Sequence, residues 1–234
     1  MTKGYLVVNG GEAFTIENRP ANRAWLRLVH EQHSPRVIVV PVAAMRKQQR
    51  VASEISKYFE FMGMFAEYKM IVDQLSANTR TEWESLDKVE AIVLTDGSPL
   101  DLIERLRGTH TEAALHRALE RKAVVMTTGA SALAAGSVFW FADQWETGLT
   151  LVPNLAFLPH HDLVQMRLSP ERLLANLPEG ITLVGVDASA TLIYYPDGTG
   201  QVAGEGLVTV YRSVEQQDEF RPGQTFPLTT PGAE

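Results

Sequence analysis

The sequence of 234 residues contains no cysteine. Disulfide bonds, metal sites built from thiolates and a cysteine nucleophile are therefore excluded. If the chemistry of this chain passes through a covalent intermediate, the hydroxyl group of a serine or threonine must act as the nucleophile.

Positive charge is also scarce. The chain has 21 Lys and Arg residues against 28 Asp and Glu residues, which gives a formal net charge of -7. Binding to nucleic acid needs clustered Lys and Arg side chains that displace counterions from phosphates. The small basic group of Arg46, Lys47 and Arg50 is too small to supply such a surface. We therefore expect no nucleic-acid partner.

Long apolar runs are missing as well. A membrane-spanning helix needs about 18 or more consecutive apolar residues, and residues 1–14 carry no apolar segment of signal-peptide length. We expect a soluble, cytoplasmic protein without a membrane partner. A hydrophobic content of 45% suits one sizeable α/β domain, which we assign to residues 1–212. Residues 213–234 are polar, contain prolines and are expected to form a loosely attached tail.

Apolar strands alternate with helical patterns in the first half of the chain. Strands are predicted at 5–8, 36–42, 64–72 and 91–94, and helices at 25–30, 51–63, 78–87, from 99 onward and at 111–121. This alternation predicts parallel strands joined by right-handed crossovers, with helices on both faces of the sheet. After residue 148 the pattern changes to short strands between 182 and 210, which predict an antiparallel extension of the same domain.

Ligands of such sheets bind beyond the carboxyl ends of the parallel strands. The turns that follow the first, fourth and fifth predicted strands should meet at that edge. These turns hold Asn9 to Gly11, Asp96 to Ser98 and the segment around Ser131.

The segment 123–139, AVVMTTGASALAAGSVF, joins a short apolar strand to an alanine-rich helical run. We assign the strand to 123–126 and the turn to 127–129. A strand, a tight turn with a serine and a helix are typical of a nucleophile elbow, in which the hydroxyl lies beside the N–H groups of a helix N-terminus. The usual G-x-S-x-G pattern would place the serine at Ser131, with Leu133 at the second glycine. Alternatively, Ser131 is only the N-cap of the helix.

A serine nucleophile needs a histidine that takes its proton. His160 and His161 follow an extended apolar run, and a strand there would deliver them to the same sheet edge as Ser131. The other histidines lie in helical or polar surroundings and are expected at the surface. They are His30, His33, His110 and His116.

Six segments occur in a distinctive order along the chain. They are a GG pair near the start, VIVVPVAA, AIVLTDGSPLDLIERL, TTGASALAAG, LPHHD and GVDASATLIYYPDGTGQVAGEGLVTVY. Together they resemble peptidase family S51, the dipeptidase E and cyanophycinase group, over about Tyr5 to Val210. The resemblance implies a flavodoxin-like fold of the class I glutamine amidotransferase type. It also implies a Ser-His-acid hydrolase of peptide or isopeptide bonds that uses no cofactor and no metal.

The resemblance assigns roles to individual residues. Ser131 matches the nucleophile of the family's G-x-S-A-G-A segment, and His160 matches its catalytic base after Pro159. His161 takes that role if the register is one residue off. The N–H groups of Gly97 and Ala132 would bind the oxyanion.

The acid of the triad stays open. Asp187 matches the aspartate of the family segment G-I-D-E-x-T-A-L, but Ala188 stands where that segment has its glutamate. The alternatives are Asp162 beside the histidines, and Asp143 and Glu146 just past the nucleophile helix.

Three residues depart from the family pattern at positions that matter, namely Asp96, Leu133 and Ala188. Two functions therefore remain open. The first is a serine hydrolase with a small peptide or amide as substrate, and the second is a catalytically impaired relative that binds a small amide or amino acid without turnover. A nucleotide or flavin module is a weaker third, because the glycines match neither a dinucleotide fingerprint nor a P-loop. The sequence leaves a homodimer open.

Overall fold

The computed structural model describes residues 4–30 and 35–228. His33 and the end of the predicted tail lie outside the described residues. The strands, in chain order, are β1 (Tyr5–Asn9), β2 (Arg36–Val40), β3 (Phe65–Tyr68), β4 (Ala91–Leu94), β5 (Val124–Thr128), β6 (Val138–Phe141), β7 (Gln144–Thr147), β8 (Leu155–Pro159), β9 (Thr182–Val186), β10 (Ala190–Tyr194), β11 (Thr199–Gly204), β12 (Val208–Tyr211), β13 (Gln217–Phe220) and β14 (Thr225–Pro227).

The helices, in the same order, are α1 (Arg19–His30), α2 (Gln48–Phe61), α3 (Gln74–Asn78), α4 (Arg80–Leu86), α5 (Pro99–Leu106), α6 (His110–Glu120), α7 (Ala130–Ala134), α8 (His161–Val164) and α9 (Pro170–Leu174). No helix within the described ranges is both long enough and apolar enough to cross a bilayer.

The main sheet has the strand order β14-β11-β10-β1-β5-β4-β2-β3. Strands β1 to β5 pair in parallel with their neighbours, whereas β10, β11 and β14 extend the sheet in antiparallel pairing. A second sheet, β13-β12-β9-β8, continues the chain beyond the β6–β7 hairpin. The predicted mainly parallel α/β fold with an antiparallel extension is confirmed.

Successive residues of the parallel strands pack on opposite faces of the main sheet. Val7, Val39 and Val93 belong to one core with Trp25 of α1 and Phe59 of α2. Their neighbours in sequence contribute to a second core on the other face, where α5, α6, α7 and the second sheet pack. Because both faces are covered, the central residues of β1, β2, β4 and β5 are apolar and show no polar alternation. The three-layer arrangement follows from this burial.

The alanine-rich run after β5 forms a shorter helix than the sequence predicts. Helix α7 ends at Ala134, and the chain then turns into the β6–β7 hairpin. The carbonyl groups of Ala134 and Gly136 accept hydrogen bonds from the N–H groups of Leu149 and Thr150, at 2.8 and 2.9 Å. These bonds from a returning segment replace the bonds of a further helical turn.

The described part of the predicted tail is not loosely attached. β13 pairs with β12, and β14 pairs with β11 at the edge of the main sheet. Arg212 also donates hydrogen bonds to the carbonyl groups of Pro227 and Leu228, each at 3.1 Å. Residues 217–227 therefore belong to the folded domain, which corrects the expectation for this segment.

Candidate active site

The sharp corner between sheet and helix is formed by Gly129. Strand β5 continues through Thr127 and Thr128, and α7 begins at Ala130. Gly129 has φ 53° and ψ −117°, a conformation that favours glycine over residues with a side chain. A nucleophile elbow holds its serine at this strained strand-to-helix turn. The corner position is therefore two residues before Ser131, and it carries no side chain.

Ser131 lies inside the protein, one residue into α7. Its side chain is 0% exposed, and its Oγ accepts a hydrogen bond from the N–H of Thr128 at 2.9 Å. The hydroxyl also lies 2.9 Å from the carbonyl oxygen of Leu94 and 3.0 Å from that of Thr128, and its single proton is donated to one of the two or shared between them. Ser131 thus connects β4, β5 and α7 through the backbone. It occupies neither the corner nor the N-cap, which is Gly129.

The carboxylate of Asp96 lies at the corner. Asp96 follows β4, and its Oδ1 accepts hydrogen bonds from the N–H of Gly97 and from the N–H of Ala130, both at 2.7 Å. The N–H of Gly97 therefore lies at the corner. The second predicted donor, Ala132, lies within α7 and is fully buried. The N–H that shares an acceptor with Gly97 is that of Ala130.

His160 reaches the corner from the second sheet. It directly follows β8, has φ 51°, and donates its backbone N–H to the carbonyl of Gly10 at 2.8 Å. Its imidazole lies so close to Gly11 that a Cβ on this glycine would be 2.0 Å from the ring Cε1. The end of β8 brings His160 to the carboxyl edge of the main sheet, and Gly11 leaves room there for its ring.

Two cavities meet at Asp96 and Gly97. The larger has a volume of about 740 Å³ and lies between the loop after β1 and α2. The smaller, of about 300 Å³, is lined by Gly129, Ala130 and His160 together with Leu133 and other apolar residues. Both volumes fit small-molecule sites, which are typically on the order of 300–1,000 Å³. The edge of the sheet therefore offers space for a small ligand next to the Asp96 carboxylate.

His161 belongs to a buried polar network instead of the cavity. Its ring is 2% exposed, with Nε2 2.7 Å from the hydroxyl of Tyr211 and Nδ1 3.4 Å from Oδ1 of Asp187. Nδ1 and Oδ1 lack hydrogen-bond geometry toward each other, so this contact is electrostatic. A carboxylate only accepts, so a proton on Nδ1 would face Asp187 and leave Nε2 to accept from Tyr211. Burial raises the pKa of Asp187, but the contact with His161 and a hydrogen bond from the N–H of Leu207 outweigh it and hold this pKa below its ordinary value. Asp187 thus pairs with His161, not with His160.

The remaining candidate acids also serve other partners. Asp162 accepts a hydrogen bond from the N–H of Ala188 at 2.9 Å. Asp143 forms an exposed ion pair with Arg172 at 2.8 Å, and Glu146 accepts from Gln144 within the β6–β7 hairpin. Across residues 4–30 and 35–228, none of the candidate carboxylates hydrogen-bonds the imidazole of His160.

Sequence reasoning missed the roles of Gly129, Ala130 and the Asp96 side chain at the corner. A local signal for the first two exists in the residue types before the turn. Thr127 and Thr128 are β-branched and favour a strand. An interpretation that continued β5 through both threonines would have placed the corner at Gly129.

A model of the family described as Peptidase family S51 matches residues 6–186. The chain belongs to peptidase family S51. Membership in this family supports a peptidase function in general terms, without assigning a mechanism. A search among curated proteins found no match.

Solved structures share this fold. The chain is similar to a peptidase from an acI-B1 Actinobacterium, with a TM-score of 0.83 and 15% identity over 97% of each chain. It is also similar to a protein from Listeria monocytogenes EGD-e assigned as a peptidase E protein. That match has a TM-score of 0.62 and 12% identity, and covers 87% of this chain and 99% of the other. At these identities, the likeness concerns the fold.

The two neighbouring histidines should differ in their effect on stability. We expect His161→Ala to lower the free energy of unfolding by about 3 kcal/mol, because it leaves the buried hydroxyl of Tyr211 unpaired and removes the contact between the ring and Asp187. His160→Asn should cost less than about 1 kcal/mol, since asparagine tolerates a positive φ and the ring borders a cavity. Urea denaturation of both variants measures the difference. Equal losses would contradict the placement of His160 at a cavity.

Proposed function

We propose that this S51 member binds a small amide or amino-acid ligand at the carboxyl edge of its main sheet and does not hydrolyse it by a serine mechanism. The observation that carries the proposal is the corner itself. Gly129 occupies the position from which an elbow presents its nucleophile, and it has no hydroxyl. An elbow without a nucleophile cannot form an acyl intermediate.

The state of Ser131 supports the same proposal. To act on a ligand, its Oγ would have to leave hydrogen bonds to Thr128 and Leu94 and reach a cavity from a fully buried position. Leaving buried polar groups unpaired costs about 1–3 kcal/mol for each group. A base must also lie within hydrogen-bond reach of the nucleophile. None of the hydrogen bonds of Ser131 described above involves His160.

The two cavities support the binding half of the proposal. They join at Asp96, and their walls combine apolar side chains with a few polar groups, as ligand sites do. Function within a shared fold depends on the groups at the site and not on the fold itself. The cleft of a peptidase can therefore serve for binding when the nucleophile is missing.

The second candidate function is the serine hydrolase in which Ser131 attacks, His160 shuttles the proton and backbone N–H groups bind the oxyanion. Family membership and the position of His160 beside the corner favour it. It requires that the first turn of α7 rearranges so that Ser131 becomes exposed. The two candidates differ in whether Ser131 reacts.

Turnover and binding can be measured on the same protein. We expect the wild-type chain to gain no mass from a fluorophosphonate probe. We expect small dipeptides or amino-acid amides to raise its melting temperature without being cleaved, as mass spectrometry would verify. A ligand at a hundred times its Kd stabilises a protein by about 2.7 kcal/mol. A fluorophosphonate adduct on Ser131, or hydrolysis that Ser131→Ala abolishes, would establish the second candidate instead.

Ser131→Ala should act on stability and not on binding. We expect the substitution to lower the free energy of unfolding by about 1–3 kcal/mol, because it leaves the N–H of Thr128 and the carbonyl of Leu94 without their partner. Ligand-induced shifts in melting temperature should stay the same as in the wild type. His160→Asn is the matched comparison, since it should weaken binding with little loss of stability. The reverse pattern would contradict the proposal.

A further inference from the structure

The Asp96 carboxylate accepts hydrogen bonds from the backbone N–H groups at the corner. Its Oδ1 accepts from two N–H groups on separate segments, that of Gly97 after β4 and that of Ala130 at the start of α7, both at 2.7 Å. Two N–H groups that converge on one anionic oxygen are the arrangement with which hydrolases stabilise an oxyanion. Here a side chain of the chain itself fills that arrangement.

The same carboxylate occupies the space of the missing side chain at the corner. A Cβ built on Gly129 would lie 2.2 Å from Oδ1, 2.3 Å from Cγ and 2.6 Å from Oδ2 of Asp96. These distances are far below van der Waals contact, so any side chain at residue 129 would have to displace the carboxylate. Gly129 and Asp96 therefore depend on each other.

We propose that Asp96 is a specificity-determining residue that acts as a built-in anion. Because it accepts their hydrogen bonds, the N–H groups of Gly97 and Ala130 cannot donate to a carbonyl or carboxylate oxygen of a ligand in the two cavities. A ligand consequently meets a carboxylate at the corner and not a pair of donors. The proposal depends on the proposed function only in placing a ligand in these cavities, since the contact itself exists without one.

The amide protons of Gly97 and Ala130 report this contact directly. In spectra of ¹⁵N-labelled protein, we expect Asp96→Ala to shift both protons relative to the wild type, because both lose the same acceptor oxygen. In Asp96→Asn, which keeps a side-chain oxygen, both should shift less. An Ala130 amide that is the same in the wild type and in Asp96→Ala would overturn the proposal.

A simple anion tests the exclusion. Acetate should leave the Gly97 and Ala130 amides of the wild type and of Asp96→Asn unchanged, because a side-chain oxygen fills the site in both. In Asp96→Ala, acetate should shift both amides. Equal responses of all three proteins would overturn the proposal, as would a response of the wild type alone.

The dependence between the two residues can be measured by adding Gly129→Ala to each of the three backgrounds. We expect it to lower the melting temperature on the order of 5–10 °C in the wild type and in Asp96→Asn, where the clash persists. The loss should be half of that or less in Asp96→Ala. Recovery of folded protein only in the Asp96→Ala background would have the same meaning, and an identical loss in all three would contradict the dependence. Hydrolysis by the wild type would remove the proposed function and leave the amide results unaffected.

Discussion

A chain that carries both Gly129→Ser and Asp96→Ala is expected to be labelled to completion by a fluorophosphonate, whereas the wild type stays unlabelled. The first substitution places a hydroxyl at the corner, where Gly129 and His160 border the same cavity. The second removes the carboxylate and frees the N–H groups of Gly97 and Ala130. Each such donor contributes about 3 kcal/mol to an oxyanion transition state, or roughly a hundredfold in rate.

The strain at the corner does not preclude this result. A residue with a side chain at a positive φ costs of order 1–3 kcal/mol, which a folded domain with several kcal/mol of stability can sustain. Gly129→Ser alone should react at least about a hundredfold more slowly, since the Asp96 carboxylate then competes with the new side chain for space and with the oxyanion for the two N–H donors. The doubly substituted chain with His160→Asn added should lose its label. Labelling that survives this third substitution, or no labelling of the doubly substituted chain, would show that the corner and His160 do not cooperate.

The strands of the sheet could be predicted because burial on both faces requires short, uninterrupted runs of apolar residues in the sequence. The runs at 37–40 and 91–94 are apolar throughout, and the structure has β2 and β4 there. Hydrophobic burial of such runs is the dominant favourable term in folding, so the architecture depends on it and on little else. The edge at which the turns meet then follows from parallel pairing, and Gly11, Asp96 and the corner do border common cavities there.

The residue roles at the corner could not be predicted in the same way. The sequence predicts the turn at 127–129 and the nucleophile at Ser131, whereas β5 continues to Thr128 and the corner lies at Gly129. This shift of the strand end hardly changes the apolar pattern, because Ala130 and Ala132 are both small. The strand end is decided by pairing, since Thr127 and Thr128 align with Val8 and Asn9 of β1. Pairing between residues about 120 positions apart is not visible in a local motif.

The two histidines illustrate a second limit. His160 and His161 are adjacent in the sequence, yet one borders a cavity and the other lies in a buried network. The left-handed conformation of His160 turns the chain between them at the end of β8, where the backbone N–H of His160 is held by the carbonyl of Gly10. The sequence therefore predicted that a histidine reaches the sheet edge and an aspartate pairs with a histidine, but it assigned both roles to one residue. The bonds of the Asp96 side chain across 34 positions had no sequence signal at all.

The buried network predicts a specific loss of stability at alkaline pH. Burial raises the pKa of Tyr211 from 10.0 to about 12. Between these two values, Tyr211 ionises in the unfolded chain but keeps its proton in the folded one, so the folded state binds more protons and stability falls as pH rises. A difference of two pKa units corresponds to about 2.7 kcal/mol. We expect this contribution to be complete below pH 10 and lost as pH approaches 12.

Tyr211→Phe isolates that contribution from the other groups that titrate at high pH. Near neutral pH the variant should be less stable than the wild type by about 1–2 kcal/mol, because Nε2 of His161 loses its hydrogen-bond donor. The variant lacks the ionising phenol, so the gap should close between pH 10 and 12 and even reverse. Urea denaturation of both proteins across this range measures the gap, and tyrosinate absorbance of the folded wild type identifies the late-titrating group. If the free energies of unfolding of the two proteins changed with pH in parallel, the Tyr211 hydroxyl would be accessible to solvent. The network would then be more open than the 2% exposure of His161 indicates.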